Sequence, residues 1–198
     1  MLDYDRAEHS PSLLSRLGSD LKHFYDEDTL SPLAASIGLH AVISNTHTDE
    51  WLRSEYQQNV RNADTDEWSE FFHGPKVFGE GMYAIPIYAV TTIVAKRFED
   101  SPTAYTVGEW GERSLRTILV GGPPVLGLQL LIGASRPMEG HSDSHWEPFN
   151  DDNGVSGHAF MGAIPFLSAA KMTDHTPTKA ALYLASTLPG ISRINDDA

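Results

Sequence analysis

A chain of 198 residues with 40% hydrophobic and 10% aromatic side chains can bury one core, and with no composition shift near its middle it reads as one domain spanning residues 1–198. Lys and Arg total 14 against 27 Asp and Glu, a formal charge of -13, which opposes nucleic-acid binding or broad attachment to an anionic membrane face. The absence of cysteine excludes disulfide scaffolds, thiol nucleophiles and cysteine metal sites.

The opening MLDYDRAEHS is charged with no apolar core behind it, so it is not a secretory signal as written. Ser10-Pro11 followed by SLLSRLGSDLKHFY predicts an amphipathic helix with a cap and an early proline. Thr29–Ser44, richer in small residues, predicts a buried helix, and Asp49–Val60 and Asp64–Phe72 predict shorter, polar, surface-facing ones. Trp51, Tyr56, Trp68, Phe71 and Phe72 are their expected packing stripe. The connector HGPKVFGEGMY (73–83) hands over to an apolar helix from Met82 to about Arg97. Thr106–Ala134 reads as one long helix or a broken pair, kinked or interrupted at Pro123-Pro124 because proline lacks a donor and clashes with the preceding turn.

The two most apolar stretches, 82–95 and 117–134, are respectively short and broken by Gly121, Gly122, Pro123, Pro124 and Gln129. Neither offers about 20 uninterrupted apolar residues, so both are expected as central helices of a soluble bundle. Residues 137–154 form a polar, turn-rich loop of the kind that carries function. Two further helices are expected over Val155–Met172 and Thr178–Leu188. Strand-type alternation is scarce, so the fold class is all-α, a helical bundle.

Three short elements in the last third carry chemistry: Arg136-Pro137 ending an apolar helix, Ser156-Gly157-His158 opening the next, and Ser192-Arg193. Alone, Arg136 is a helix C-terminal charge and Ser156 an ordinary N-cap. Together they suit phosphoryl transfer, which needs fixed donors around oxygens that share negative charge. Arg136 and Arg193 would clamp two such oxygens with planar N–H pairs. The Ser156 hydroxyl and the Gly157 amide sit where a loop becomes a helix and point at one anion, and Gly157 permits close approach. His158 is placed to protonate a leaving oxygen. The run His141-Ser142-Asp143-Ser144-His145 invites a metal reading; a solvated loop beside the pocket that admits substrate is preferred, and no metal is assigned. His9, His23, His40, His47, His73 and His175 show no ligand spacing and receive no role.

The order and spacing of the three elements resemble the signature of type 2 phosphatidic acid phosphatases and vanadium haloperoxidases: Lys-x6-Arg-Pro, Pro-Ser-Gly-His, then Ser-Arg-x5-His-x3-Asp. The resemblance covers about residues 75–198, including the lead-in FGEGMYAIPIY. It implies hydrolysis of phosphate monoesters or diphosphates, small-molecule or lipid, through a phosphohistidine and with no required cofactor. Gln129, Arg136, Ser156, Gly157 and Arg193 would hold the phosphate and His158 would act as acid. The alternatives are a haloperoxidase holding vanadate in the same cradle and a non-catalytic anion-binding member. The family also implies a periplasmic or membrane-associated setting. Three departures stand beside the match. Gln129 occupies the lysine position, a neutral residue that still donates to phosphate; Val155 replaces proline; and the nucleophilic histidine falls one place beyond Ala198, so the chain is expected to be truncated ahead of it.

Overall fold

The computed structural model describes residues 12–46, 48–72, 76–98, 100–134, 145–150 and 154–195, and every element among them is an α-helix. The all-α expectation is therefore met. The helices run α1 (Leu13–Phe24), α2 (Glu27–Ser44), α3 (Thr48–Asn59), α4 (Ala63–Phe72), α5 (Lys76–Gly79), α6 (Gly81–Ala95), α7 (Pro102–Ile132), α8 (Gly157–Ala170), α9 (Thr176–Ala185) and α10 (Leu188–Asn195).

Their starts follow local chemistry. The hydroxyl of Ser12, not the predicted Ser10, caps α1 by accepting from the Ser15 amide at 3.2 Å. Asp26 caps α2, which starts at Glu27, two residues ahead of the predicted start, with Glu27 and Asp28 in the first turn facing the positive helix end. Ser101 caps α7, whose first residue is Pro102. The last helix, α10, lies beyond the expected elements.

The core gathers at the crossing of α5, α6, α7 and α8. Ala84, Tyr88 and Ile164 are fully buried, with Phe78, Trp110, Leu115, Ile118, Phe160 and Met161 packed against them. Phe78, Tyr88 and Trp110 form an aromatic cluster in which Tyr88 and Trp110 meet edge-to-face at 5.1 Å. The Trp110 indole N–H donates to the Pro165 carbonyl at 2.9 Å, tying α7 to α8. Ser114 and Ser168, both buried, join the same two helices at 3.1 Å. Burial pushes the Tyr88 hydroxyl well above the usual tyrosine range, and that hydroxyl has no hydrogen-bond partner among the described residues.

Three expectations are resolved or changed. First, of the two alternatives, one long helix or a broken pair, α7 is the long helix: 31 residues, about 46 Å at 1.5 Å per residue, unbroken at Pro123 and Pro124. Second, α2 is not a buried helix: only Ser44 is buried, because α2 packs mainly against α1, α3 and residues 145–146, and Leu39 and Val42 face outward. Trp51 and Trp68 are likewise exposed rather than forming a stripe, Tyr56 is half-buried, and the side chains of Phe71 and Phe72 lie outside the described residues.

Third, α6 and the second half of α7 are not wrapped on all sides. Met82, Val90 and Ile93 of α6, and Leu119, Leu126 and Leu131 of α7, are exposed. By length and composition α7 suffices to cross a membrane, and its most apolar window is 17% buried.

The first half of α7 is polar and tied to α1. Arg16 bonds Glu109 and Glu112 at 3.0 and 3.1 Å, Arg113 bonds Glu109 at 2.9 Å, and Arg116 bonds Glu112 at 2.6 Å and Asp20 at 2.7 Å. Burial alone would lower the Arg16 pKa, but the hydrogen bonds and charges of the two glutamates outweigh it and raise the pKa. The Arg116 side chain is 10% exposed, so losing one of its partners would strand a desolvated charge.

Glycines set the distance between α6 and α7. A Cβ at Gly108 would collide with Ala95, and one at Gly111 with the Thr91 hydroxyl, the Tyr88 carbonyl and the Thr92 hydroxyl. Gly111→Ala is therefore expected to destabilise the protein by about 1–3 kcal/mol through overpacking. Gly18→Ala, on α1 with open space around the added atom, should instead stabilise by up to about 1 kcal/mol. Urea unfolding of both variants checks the pair, and equal effects would remove the crossing constraint.

Candidate functional site

Four of the sequence-predicted site residues come together where α7 ends and α8 begins. The last turn of α7 carries Gln129, and Gly133 stops the helix in the left-handed region (φ 58°), its amide returning to the Gln129 carbonyl at 2.9 Å. The segment 145–150 then lies along this helix end. The Glu147 amide donates to the Ile132 carbonyl at 3.0 Å and the Phe149 amide to the Leu130 carbonyl at 2.8 Å, so two terminal carbonyls of α7 gain partners.

Beside them Gln129 donates its side-chain amide to the Val155 carbonyl at 2.8 Å. That bond fixes the residue ahead of α8. A Cβ on Gly157 would come within 3.4 Å of the same amide nitrogen, so Gln129 and the first turn of α8 are neighbours. Ser156 is the N-cap of α8, its Oγ accepting from the Ala159 amide at 3.2 Å. The first intrahelical bond runs from the Phe160 amide to the Ser156 carbonyl, which leaves the amides of Gly157 and His158 as donors at the positive end of a 14-residue helix. Ser156 and His158 are exposed.

His158 packs against α5, where a Cβ at Gly79 would come within 3.2 Å of the His158 carbonyl and 3.6 Å of its ring Cδ2. One turn along the same face of α8, Pro189 of α10 closes on Gly162 to a distance at which an added Cβ would sit 2.8 Å away. Ser192 is buried and donates to the Pro189 carbonyl at 3.0 Å. The backbone bearing Arg193 therefore lies against α8, while the Arg193 side chain is outside the described residues. Arg136 and the run 141–144 are also outside them.

The arrangement is a compact set of neutral donors: one hydroxyl, two backbone amides, the remaining N–H of Gln129, and an imidazole. It can hold an oxyanion by dipoles and deliver a proton from His158. The roles of Gly79 in seating His158 and of the Val155 carbonyl in orienting Gln129 are not among the sequence-predicted ones; the glycine-rich connector was the available signal for the first.

The approach segment has its own anchor on α2. The His145 Nδ1 lies 3.1 Å from the Ser44 carbonyl, and the Trp146 amide donates to the Asn45 side chain at 3.1 Å. The Trp146 ring lies against His40 with centroids 5.7 Å apart, and His40 Nε2 is 3.3 Å from the Ser44 hydroxyl. His40, given no role from sequence, is thus part of the anchor. Burial lowers its pKa, against the opposing charge of Asp49.

Two tests follow from this geometry. Gln129→Leu leaves the Val155 carbonyl without its donor and is expected to cost about 1–3 kcal/mol, with faster amide exchange in the first turn of α8. Because the folded His40 takes up a proton less readily than the unfolded one, its stabilising effect is complete above the unfolded value of about 6.5 and is lost as pH falls from there through the lowered folded value. Urea midpoints at pH 8 and pH 5.5 should therefore converge more closely in His40→Gln than in the unchanged protein; identical pH slopes would contradict the assignment.

No protein-family model, curated protein or solved structure matches this chain, so the case for what the cluster does rests on its geometry and on the sequence resemblance.

Proposed function

We propose that the turn from Ser156 to His158 is the floor of an oxyanion site and that the protein acts on phosphate monoesters or diphosphates. The observation that carries this is the placement of the Ser156 hydroxyl, the free Gly157 and His158 amides and the Gln129 amide around one helix N-terminus. Such an end presents N–H groups and a partial positive charge to an anion. Arg136 and Arg193 add the fixed positive charge in this reading, one from the segment after α7 and one from α10.

In the reaction the donors stabilise charge on the equatorial oxygens, and the exposed His158 protonates the leaving oxygen. In the family that the sequence resembles the nucleophile is a histidine, and this reading takes over that type of attack. Phosphoryl transfer to the histidine makes a phosphohistidine, which water then hydrolyses. The apolar outer faces of α6 and α7 suit a lipid phosphate and a membrane-associated setting.

Phosphorus NMR titration with inorganic phosphate and vanadate tests the cradle, and p-nitrophenyl phosphate hydrolysis tests the chemistry. Ser156→Ala and Arg136→Ala should each weaken oxyanion binding by about 1.5–3 kcal/mol. His158→Gln should retain binding while hydrolysis falls about 10²–10⁴-fold. Oxyanion binding indifferent to both Ser156→Ala and Arg136→Ala would overturn the reading, and bromide oxidation with vanadate bound would move it to a haloperoxidase.

A further inference from the structure

A cleft of about 430 Å³ opens between α1, the start of α2, α7 and α8, within the range of small-molecule sites. It is separate from the Ser156–His158 turn. Lys171, on its rim, follows His158 by about 20 Å along α8. One wall is apolar, made by Phe24, Val120, Phe160 and Leu167, and Gly121 leaves this floor open: a Cβ there would press within 3.0 Å of the Phe160 ring.

The other wall is cationic in a protein of net charge -13. Arg113, Arg116 and Lys171 line it, and Asp20 is the single carboxylate among the described lining residues. The polar groups divide sharply by what they already bind. Thr29 donates to the His23 carbonyl at 2.9 Å and Thr117 to the Arg113 carbonyl at 2.9 Å. His23 Nδ1 is engaged with the Ser19 carbonyl at 2.7 Å. Arg116 is held by Asp20 and Glu112. Lys171 has no ion pair among the described residues, and Arg113 uses its Nε on Glu109, leaving its terminal N–H groups.

We propose that this cleft binds a small organic monoanion, a carboxylate carrying an alkyl or aryl body. Its carboxylate sits on Lys171 and the terminal N–H groups of Arg113, and its body lies along Phe24, Val120, Phe160 and Leu167. The unmatched charge is one lysine, which fits a single negative charge and no more. The apolar wall would be left wet by a bare inorganic anion, and a neutral apolar molecule would leave Lys171 without a counter-charge.

Calorimetric titration with decanoate, decan-1-ol and decyltrimethylammonium, each below its micelle concentration, tests this on the chain as it stands. Decanoate is expected to bind at least tenfold more tightly than decan-1-ol, and the cation not measurably. Lys171→Gln, at an exposed position, should weaken decanoate about tenfold and leave decan-1-ol unchanged, while Leu167→Trp should block both by filling the cleft. Equal binding of decanoate and decan-1-ol, or decanoate binding untouched by Lys171→Gln, would place the ligand on the exposed apolar faces of α6 and α7 and overturn the proposal. Displacement of decanoate by equimolar inorganic phosphate would overturn the requirement for an apolar body. A Lys171→Gln protein with unchanged urea midpoint confirms that any loss belongs to the ligand and not to the fold.

Discussion

The approach of α6 to α7 at Gly108 and Gly111 is the constraint on which the other contacts depend. With no side chain at these two positions, the backbone of α7 rests on Tyr88, Thr91 and Thr92 of α6. The Thr91 and Thr92 hydroxyls turn back onto the Tyr88 carbonyl at 3.0 and 2.7 Å, so the polar groups at this dry crossing are spent within α6. Tyr88 can then reach the Trp110 ring, and Trp110 in turn reaches the Pro165 carbonyl of α8. One close contact therefore places three helices.

Because α7 is a single rod, fixing it near Gly111 also fixes its far end. Gln129 lies nearly 30 Å along the axis from that crossing, yet its amide must find the Val155 carbonyl to set the entry into α8. A break at Pro123-Pro124 would uncouple the two. Continuity through the prolines is thus what lets a packing contact in the core specify the geometry of a helix N-terminus at the edge. The same rod divides its electrostatics along its length: carboxylates and arginines in its first half neutralise one another against α1, and apolar residues fill its second half.

Much of this was legible in the residues. Ser156 as N-cap, the glycine after it and the apolar period that follows specify the start of α8 locally, and α3 and α4 fall within one residue of their expected starts. What failed did so where the outcome depends on partners rather than on neighbours in sequence. Composition made Thr29–Ser44 look buried, but burial requires partners on several sides, and α2 has them on few. Proline penalties are local and left one long helix or a broken pair open over 106–134; the structure keeps the helix continuous. The anchoring of Trp146 on His40 and Asn45 joins positions far apart in the chain, and no spacing rule signals it. The arginine ladder of α7, Glu109/Arg113 and Glu112/Arg116 at helical spacing, was not among the sequence expectations, and its closure by Arg16 and Asp20 needed the fold.

The two anion sites proposed on helix α8 are of opposite construction. At its N-terminus the partial positive charge of the helix end and its free amides act for an oxyanion, so even a neutral donor set around Ser156 attracts a phosphate-sized charge. At the other end Lys171 is the C-cap, and the last carbonyls carry a partial negative charge that offsets part of the lysine's field. A bare anion there would gain little from Lys171 alone in an acidic protein at physiological salt. Affinity at that end must come from removing apolar surface from water, at roughly 25 cal/mol per Å², with the lysine selecting the sign of the head group. If both proposals hold, the polarity of one helix suits a compact, highly charged ligand at its first turn and a weakly charged, mainly apolar one at its last.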